Sequence, residues 1–135
     1  MTHLLDTSAL LAHYLAEPGA TRVQSIFEDT TVVAATSILA LFEFDLRLHQ
    51  HGIDAATRDA ELKRYRVLLS EIVNVDDAIR AEAVRLRINA TARISAMDTL
   101  IAATASVHGA TLIHRDPHFT VIPTSLLKQE MLPPK

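Results

Sequence analysis

The chain has no cysteine and no tryptophan, only three glycines, and lysine only at Lys63, Lys128 and Lys135. Without cysteine there is no disulfide framework and no thiolate metal site, so any metal must be held by oxygen or imidazole. The few glycines form no P-loop, no dinucleotide-binding fingerprint and no Gly-x-Ser-x-Gly elbow. No His-Glu-x-x-His motif of the zincin type is present. No apolar run approaches the length of a membrane span, because charges interrupt every stretch. The opening Met1-Thr2-His3-Leu4-Leu5-Asp6 lacks the basic flank and apolar core of a signal peptide. A soluble, cytoplasmic protein is therefore expected. The net charge of -3 and a pI of about 6.1 exclude a broadly basic nucleic-acid binder. Any RNA contact has to run through a local patch or a metal.

What is present is an aliphatic chain, 49% hydrophobic and 4% aromatic, long enough at 135 residues for a core without staples. One domain, residues 1–135, is expected. Leu4-Leu5 reads as a buried strand, followed by a helix to Ala16 that stops at Pro18-Gly19. A second helix runs through Glu28, and the β-branched stretch Thr31–Ala35 reads as a second strand. Thr36 or Ser37 caps a helix to His51, and Asp54 caps another through Ser70. Ile72-Val73 with Val75 is a third strand, and Asp76 or Asp77 opens a helix to about Asn89. Ser95 opens the last helix, closed by Gly109; Thr111–Ile113 is a fourth strand and Val121-Ile122 a candidate fifth. Alternating strands and helices predict an α/β fold. Its sheet should be mostly parallel, with about four to five strands and helices on both faces.

Four acids stand out. Asp6 closes the first strand inside Leu4-Leu5-Asp6-Thr7-Ser8-Ala9-Leu10, a place where a charge needs a reason. Capping the following helix is one such reason. Glu43 shares a helical stripe with Leu39 and Leu46 and is flanked by Phe42 and Phe44; alternatively it marks the edge of a solvent face. Asp98 stands three residues after Ser95, a capping-box spacing, ahead of a nearly uncharged helix through Val107. Asp116 follows the fourth strand and precedes Pro117, as in an ordinary turn. Each acid alone has a structural explanation; together they fall where α/β sheets build sites, beyond the carboxyl ends of strands. Converging carboxylates resist ionisation without a counter-charge, and oxygen-only acidic sites suit Mg²⁺ or Mn²⁺. Such a cation can bind a phosphate and activate water.

The order of these motifs resembles the PIN domain, and within it the VapC-type toxins of bacterial toxin–antitoxin pairs. The resemblance spans essentially the whole chain. It rests on Leu5-Asp6-Thr7-Ser8-Ala9-Leu10, on Glu43 in its helix, on Asp98-Thr99-Leu100-Ile101-Ala102-Ala103, and on Arg115-Asp116-Pro117-His118-Phe119. Two positions depart from the family pattern: His114, where many members carry Thr or Ser, and His118, where many carry a further acid. His118 is open to three readings: a metal ligand, a donor to phosphate, or a solvated turn residue.

The resemblance implies a metal-dependent endoribonuclease acting on structured RNA such as tRNA or ribosomal RNA. Asp6 and Asp98 would be inner ligands of Mg²⁺ or Mn²⁺, with Glu43 and Asp116 completing the site directly or through water. In-line attack by water would leave 5′-phosphate and 3′-hydroxyl ends. The resemblance also implies a homodimer and a small cognate VapB-like antitoxin. The alternative is a catalytically silent module of the same fold that only binds RNA or protein. A phosphatase or receiver domain is a third reading, weakened because such sheets need a lysine near the phosphate site and the lysines here lie in a helix or the tail. Arg80, Arg85, Arg87 and Arg93 form the densest basic stretch; it either feeds phosphates toward Asp98 or is a solvated helix face with Glu82.

Overall fold

The computed structural model describes residues 1–135. In chain order it contains β1 (His3–Leu5), α1 (Thr7–Tyr14), α2 (Ala20–Glu28), β2 (Ala34–Ser37), α3 (Ile38–Gln50), α4 (Ala55–Leu68), β3 (Glu71–Val73), α5 (Asp77–Asn89), α6 (Ala96–Val107), β4 (Thr111–His114) and β5 (Gln129–Met131). A 3₁₀ turn, Pro117–Val121, lies between β4 and β5. The five strands form one sheet in the order β3-β2-β1-β4-β5, and every pairing is parallel.

Strand alternation divides the core into two layers. Leu4, Ala35 and Leu112 point to one face, under Ile79 and Leu86 of α5 and Ile101 and Ala105 of α6. Their chain neighbours Leu5, Ala34 and Ile113 point to the other face, against Leu10, Val23, Phe44 and Tyr65 of α1 to α4. Helices thus cover both faces. The small residues Ala34 and Ala35 let the helices sit close over the middle of the sheet. No helix is long and apolar enough to cross a membrane.

Most element boundaries follow local chemistry. Asp6, Ser37, Asp54, Asp76 and Ser95 each place a side-chain oxygen on a backbone N–H in the first turn of the next helix. Gly109 takes φ +63° just past α6, a conformation a side chain would strain. Two sequence expectations need correction. The second strand is Ala34–Ser37, not Thr31–Ala35. Asp29 turns the chain at Thr31, accepting from its N–H at 2.8 Å and its hydroxyl at 2.6 Å, so pairing starts later. Val121-Ile122 is not a strand. Val121 ends the 3₁₀ turn and Ile122 packs into the core beneath α5 and α6. The fifth strand is Gln129–Met131 at the sheet edge, where polar, half-exposed residues give no apolar signature.

Candidate active site

The order β3-β2-β1-β4-β5 reverses direction between β1 and β4. In a doubly wound sheet, that reversal opens a crevice beyond the strands' carboxyl ends. Asp6 follows β1 and Asp116 follows β4, so both stand at this crevice. Glu43 enters from α3 and Asp98 from the first turn of α6. All four line one cleft of about 130 Å³, joined by Thr7, Ser8 and Arg47. Arg47 is one turn along α3 from Glu43 and is the only cation lining the cleft.

Asp6 divides its two oxygens between two tasks. Oδ2 accepts from the Ser8 N–H at 3.0 Å and the Ser8 hydroxyl at 2.6 Å, capping α1. Oδ1 is buried and has no hydrogen-bond partner. Ser8 Oγ in turn accepts from the Arg115 N–H at 2.8 Å, tying the end of β4 to the start of α1. The Arg115 guanidinium is turned away from the cleft, onto Glu17 at 2.7 Å.

Asp116 uses Oδ1 to accept from the His118 N–H at 2.9 Å, which caps the 3₁₀ turn. Its own N–H donates to His114 Nδ1 at 3.1 Å. That bond leaves the His114 proton on Nε2, facing Gln129 Oε1 at 2.8 Å. His114 is fully buried against Phe119. It therefore holds the Asp116 backbone in place, a role no sequence pattern announced. Thr7 Oγ1 lies 3.2 Å from Glu43 Oε1 and steadies that carboxylate. Ser95 Oγ accepts from the Asp98 N–H at 3.1 Å, completing the cap of α6.

The cleft concentrates negative charge. Burial pushes Asp6 up to about 6, against the pull of the Ser8 bonds, and the Asp98 charge adds to the rise. Asp98 is raised by burial first and by the Asp116 charge next, with the Ser95 hydroxyl opposing. Glu43 is raised chiefly by burial and then by Asp98 and Asp116, with Thr7 and Arg47 opposing. The residues present fit a hard divalent cation: several carboxylates, one buried oxygen without a partner, and too little positive charge to balance them.

The basic stretch on α5 belongs elsewhere. Arg80 pairs with Asp77, Arg85 pairs with Glu82, and Arg87 donates to the Ile94 carbonyl. Three of its four arginines are thus committed to local contacts, as on a solvated helix face. Phe42 and Phe44, adjacent in sequence, also separate. Phe44 is fully buried in the core, whereas Phe42 is 57% exposed. Phe42 and Leu46 line a groove of about 320 Å³ with His49 and Arg58 on the outer side of α3.

The model of the PIN domain matches residues 3–124. Among solved structures, VapBC2 from Rickettsia felis bound to a DNA fragment from their promoter aligns with a TM-score of 0.78 at 19% identity, covering 98% of this chain and 100% of that one. A toxin–antitoxin complex from Klebsiella pneumoniae aligns with a TM-score of 0.63 at 24% identity, covering 86% and 88%. VapC20 of Mycobacterium tuberculosis, a sarcin–ricin loop cleaving toxin, aligns with a TM-score of 0.67 at 18% identity, covering 88% and 93%. At these identities the likeness is one of fold. No curated protein matches the sequence.

Proposed function

The chain belongs to the PIN-domain family, and we propose that it is a metal-dependent endoribonuclease, the toxin of a type II toxin–antitoxin pair that inhibits translation. The observation that carries this reading is the unpartnered, buried Asp6 Oδ1 in a cleft shared with Glu43, Asp98 and Asp116. A cleft that only capped helices would not hold four carboxylates against one arginine. In this reading residues 1–135 act as one unit.

Asp6 and Asp98 would be the inner ligands for Mg²⁺ or Mn²⁺, with Glu43 and Asp116 completing the site directly or through water. When bound, the cation supplies Lewis acidity that activates water toward phosphorus and offsets charge on the leaving oxygen. The protein's own groups do the rest. Arg47 holds a non-bridging phosphate oxygen at the cleft mouth and keeps the RNA backbone in register. Glu43, lifted above the usual carboxylate range and steadied by Thr7, is placed to take up a proton from the attacking water. The Ser8–Arg115 link and the His114 bond keep Asp6 and Asp116 from moving apart as charge builds.

The partners follow from the same reading. A VapB-like antitoxin would lay an apolar segment in the Phe42–Leu46 groove, on the helix that carries Glu43. The toxin would be a homodimer, and its substrate a structured RNA, tRNA or ribosomal RNA. The test is cleavage of folded RNA by the purified chain in Mn²⁺, Mg²⁺ or EDTA, with product ends mapped. Cleavage that needs the metal, leaves 5′-phosphates and disappears in Asp98→Asn supports the reading. Equal cleavage in EDTA, or by the variant, refutes it.

A further inference from the structure

His118 is a titratable, metal-capable side chain beside the cleft that the mechanism above does not use. Its ligand atom and one oxygen each from Asp98 and Asp116 all lie within 4.8 Å of one another. His118 Nδ1 and Asp116 Oδ1 stand 3.2 Å apart. Around an octahedral cation with bonds of about 2.1 Å, adjacent donors stand roughly 3 Å apart and opposite donors roughly 4.2 Å apart. The His118–Asp116 spacing already matches an adjacent pair. The imidazole, 74% exposed, is free to rotate toward a shared cation.

The backbone enforces the juxtaposition. Asp116 Oδ1 accepts the His118 N–H, and Pro117 fixes the residue between them, so carboxylate and imidazole leave the turn side by side. Independent of this cluster, the 3% exposed Asp6, whose buried Oδ1 has no hydrogen-bond partner, lines the same cleft as Asp98 and Asp116.

We propose that His118 is a nitrogen ligand of this site and shifts its cation preference from Mg²⁺ toward Mn²⁺. The proposal rests on the metal-dependent reading above. Imidazole suits first-row transition cations, while Mg²⁺ favours oxygen donors and keeps its waters. Replacing one oxygen donor by nitrogen therefore changes selectivity rather than the ability to bind. A histidine that merely paired with Asp116 would behave differently. It would compete with every cation alike, and its removal would tighten Mn²⁺ and Mg²⁺ by the same factor.

The experiment is calorimetric titration of Mn²⁺ and of Mg²⁺ into the full chain, wild type, His118→Ala and His118→Asp, at pH 7.5. Pulsed electron paramagnetic resonance of the bound Mn²⁺ accompanies it. His118→Ala is expected to weaken Mn²⁺ by roughly fivefold or more while moving Mg²⁺ by less than about twofold. His118→Asp is expected to tighten Mg²⁺ relative to Mn²⁺. The wild-type Mn²⁺ spectrum should carry a ¹⁴N coupling that both variants lose. Binding without that coupling, or with an unchanged Mn²⁺-to-Mg²⁺ ratio in His118→Ala, overturns the assignment and leaves the nuclease reading standing. Failure of the wild type to bind either cation overturns both.

Discussion

Replacing Asp6 by Asn should stabilise the metal-free protein at neutral and alkaline pH, although it alters a buried, capping residue. The amide oxygen can take over both Ser8 bonds, and the amide nitrogen then points where Oδ1 now has no partner. The magnitude follows from burial. Asp6 titrates at about 6 in the fold, against an ordinary 3.8. Folding therefore favours its protonated form: the penalty is absent below the lower value, grows between the two, and is complete above the higher. At 1.36 kcal/mol per unit, the full penalty is about 3 kcal/mol at pH 8, and it falls to about 0.6 kcal/mol at pH 4. Losing the negative charge at the start of α1 costs about 0.3–1 kcal/mol in the other direction. A net gain of roughly 2 kcal/mol remains at pH 8, or about 6 °C in melting temperature for a domain of this size. The assay is thermal melting of wild type and variant in EDTA at fixed ionic strength, from pH 8 to pH 4. The pH response of His114 is common to both chains and cancels in the difference. In excess Mn²⁺ the order should invert, because only the wild type gains from binding. A variant that melts lower than wild type at pH 8 by a margin that does not change on acidification would refute the reasoning and leave Asp6 a cap alone.

Asp98→Asn should abolish RNA cleavage, shrink the melting shift produced by Mn²⁺ or Mg²⁺, and leave metal-free stability at neutral pH unchanged or raised, because burial and the Asp116 charge disfavour the ionised carboxyl in the fold; paired melting and cleavage assays check this. Arg47→Gln should raise KM for RNA more than it lowers kcat, with a metal-free stability loss under about 1 kcal/mol because Arg47 is exposed; steady-state kinetics on one RNA hairpin distinguishes the two constants. Burial holds His114 below its ordinary value of 6.5, so the unfolded chain takes up its proton first and stability should fall as pH drops below about 6.5. His114→Gln should remove that acid-side loss while costing about 1–3 kcal/mol at pH 7.5 through the broken Asp116 and Gln129 bonds; urea midpoints at pH 5.5 and 7.5 measure both effects.

The fold was largely legible because its strongest signals are local. Pro18-Gly19, Gly52 and Gly109 mark where helices stop or turn, and Asp54, Asp76 and Ser95 mark where they start. The misread parts are those where the signal was not local. Thr31 to Val33 have strand-like side chains, yet pairing begins at Ala34, because β2 must run level with His3–Leu5. Gln129–Met131 carries no strand signature and is held by pairing with β4. The four acids could be picked out along the chain, but the roles of Arg47 and His114 could not. An arginine among several on helices, and a histidine after a strand, acquire meaning only once the sheet places them beside Asp116 and Glu43.

The sequence posed Asp6 and Asp98 as caps and Asp116 as a turn residue, each set against a role as a ligand, and in the structure the local role leaves room for the other. A carboxylate has two oxygens. Asp6 commits Oδ2 to the first turn of α1 and leaves Oδ1 without a partner; Asp116 commits Oδ1 to the turn at His118, and both residues line the same cleft. At Asp98 the division is made differently: Ser95 supplies the capping oxygen, so the Asp98 side chain need not. Capping is thus what aims the carboxylates. An uncapped aspartate in a cleft of like charges would rotate outward to water, since repulsion there is relieved by any motion that separates the charges. Bonds of 2.6 to 3.0 Å to Ser8 and His118 oppose that rotation before any cation arrives. Local propensity and site chemistry therefore reinforce each other, and evidence for a cap at Asp6 or Asp116 counts toward the site rather than against it.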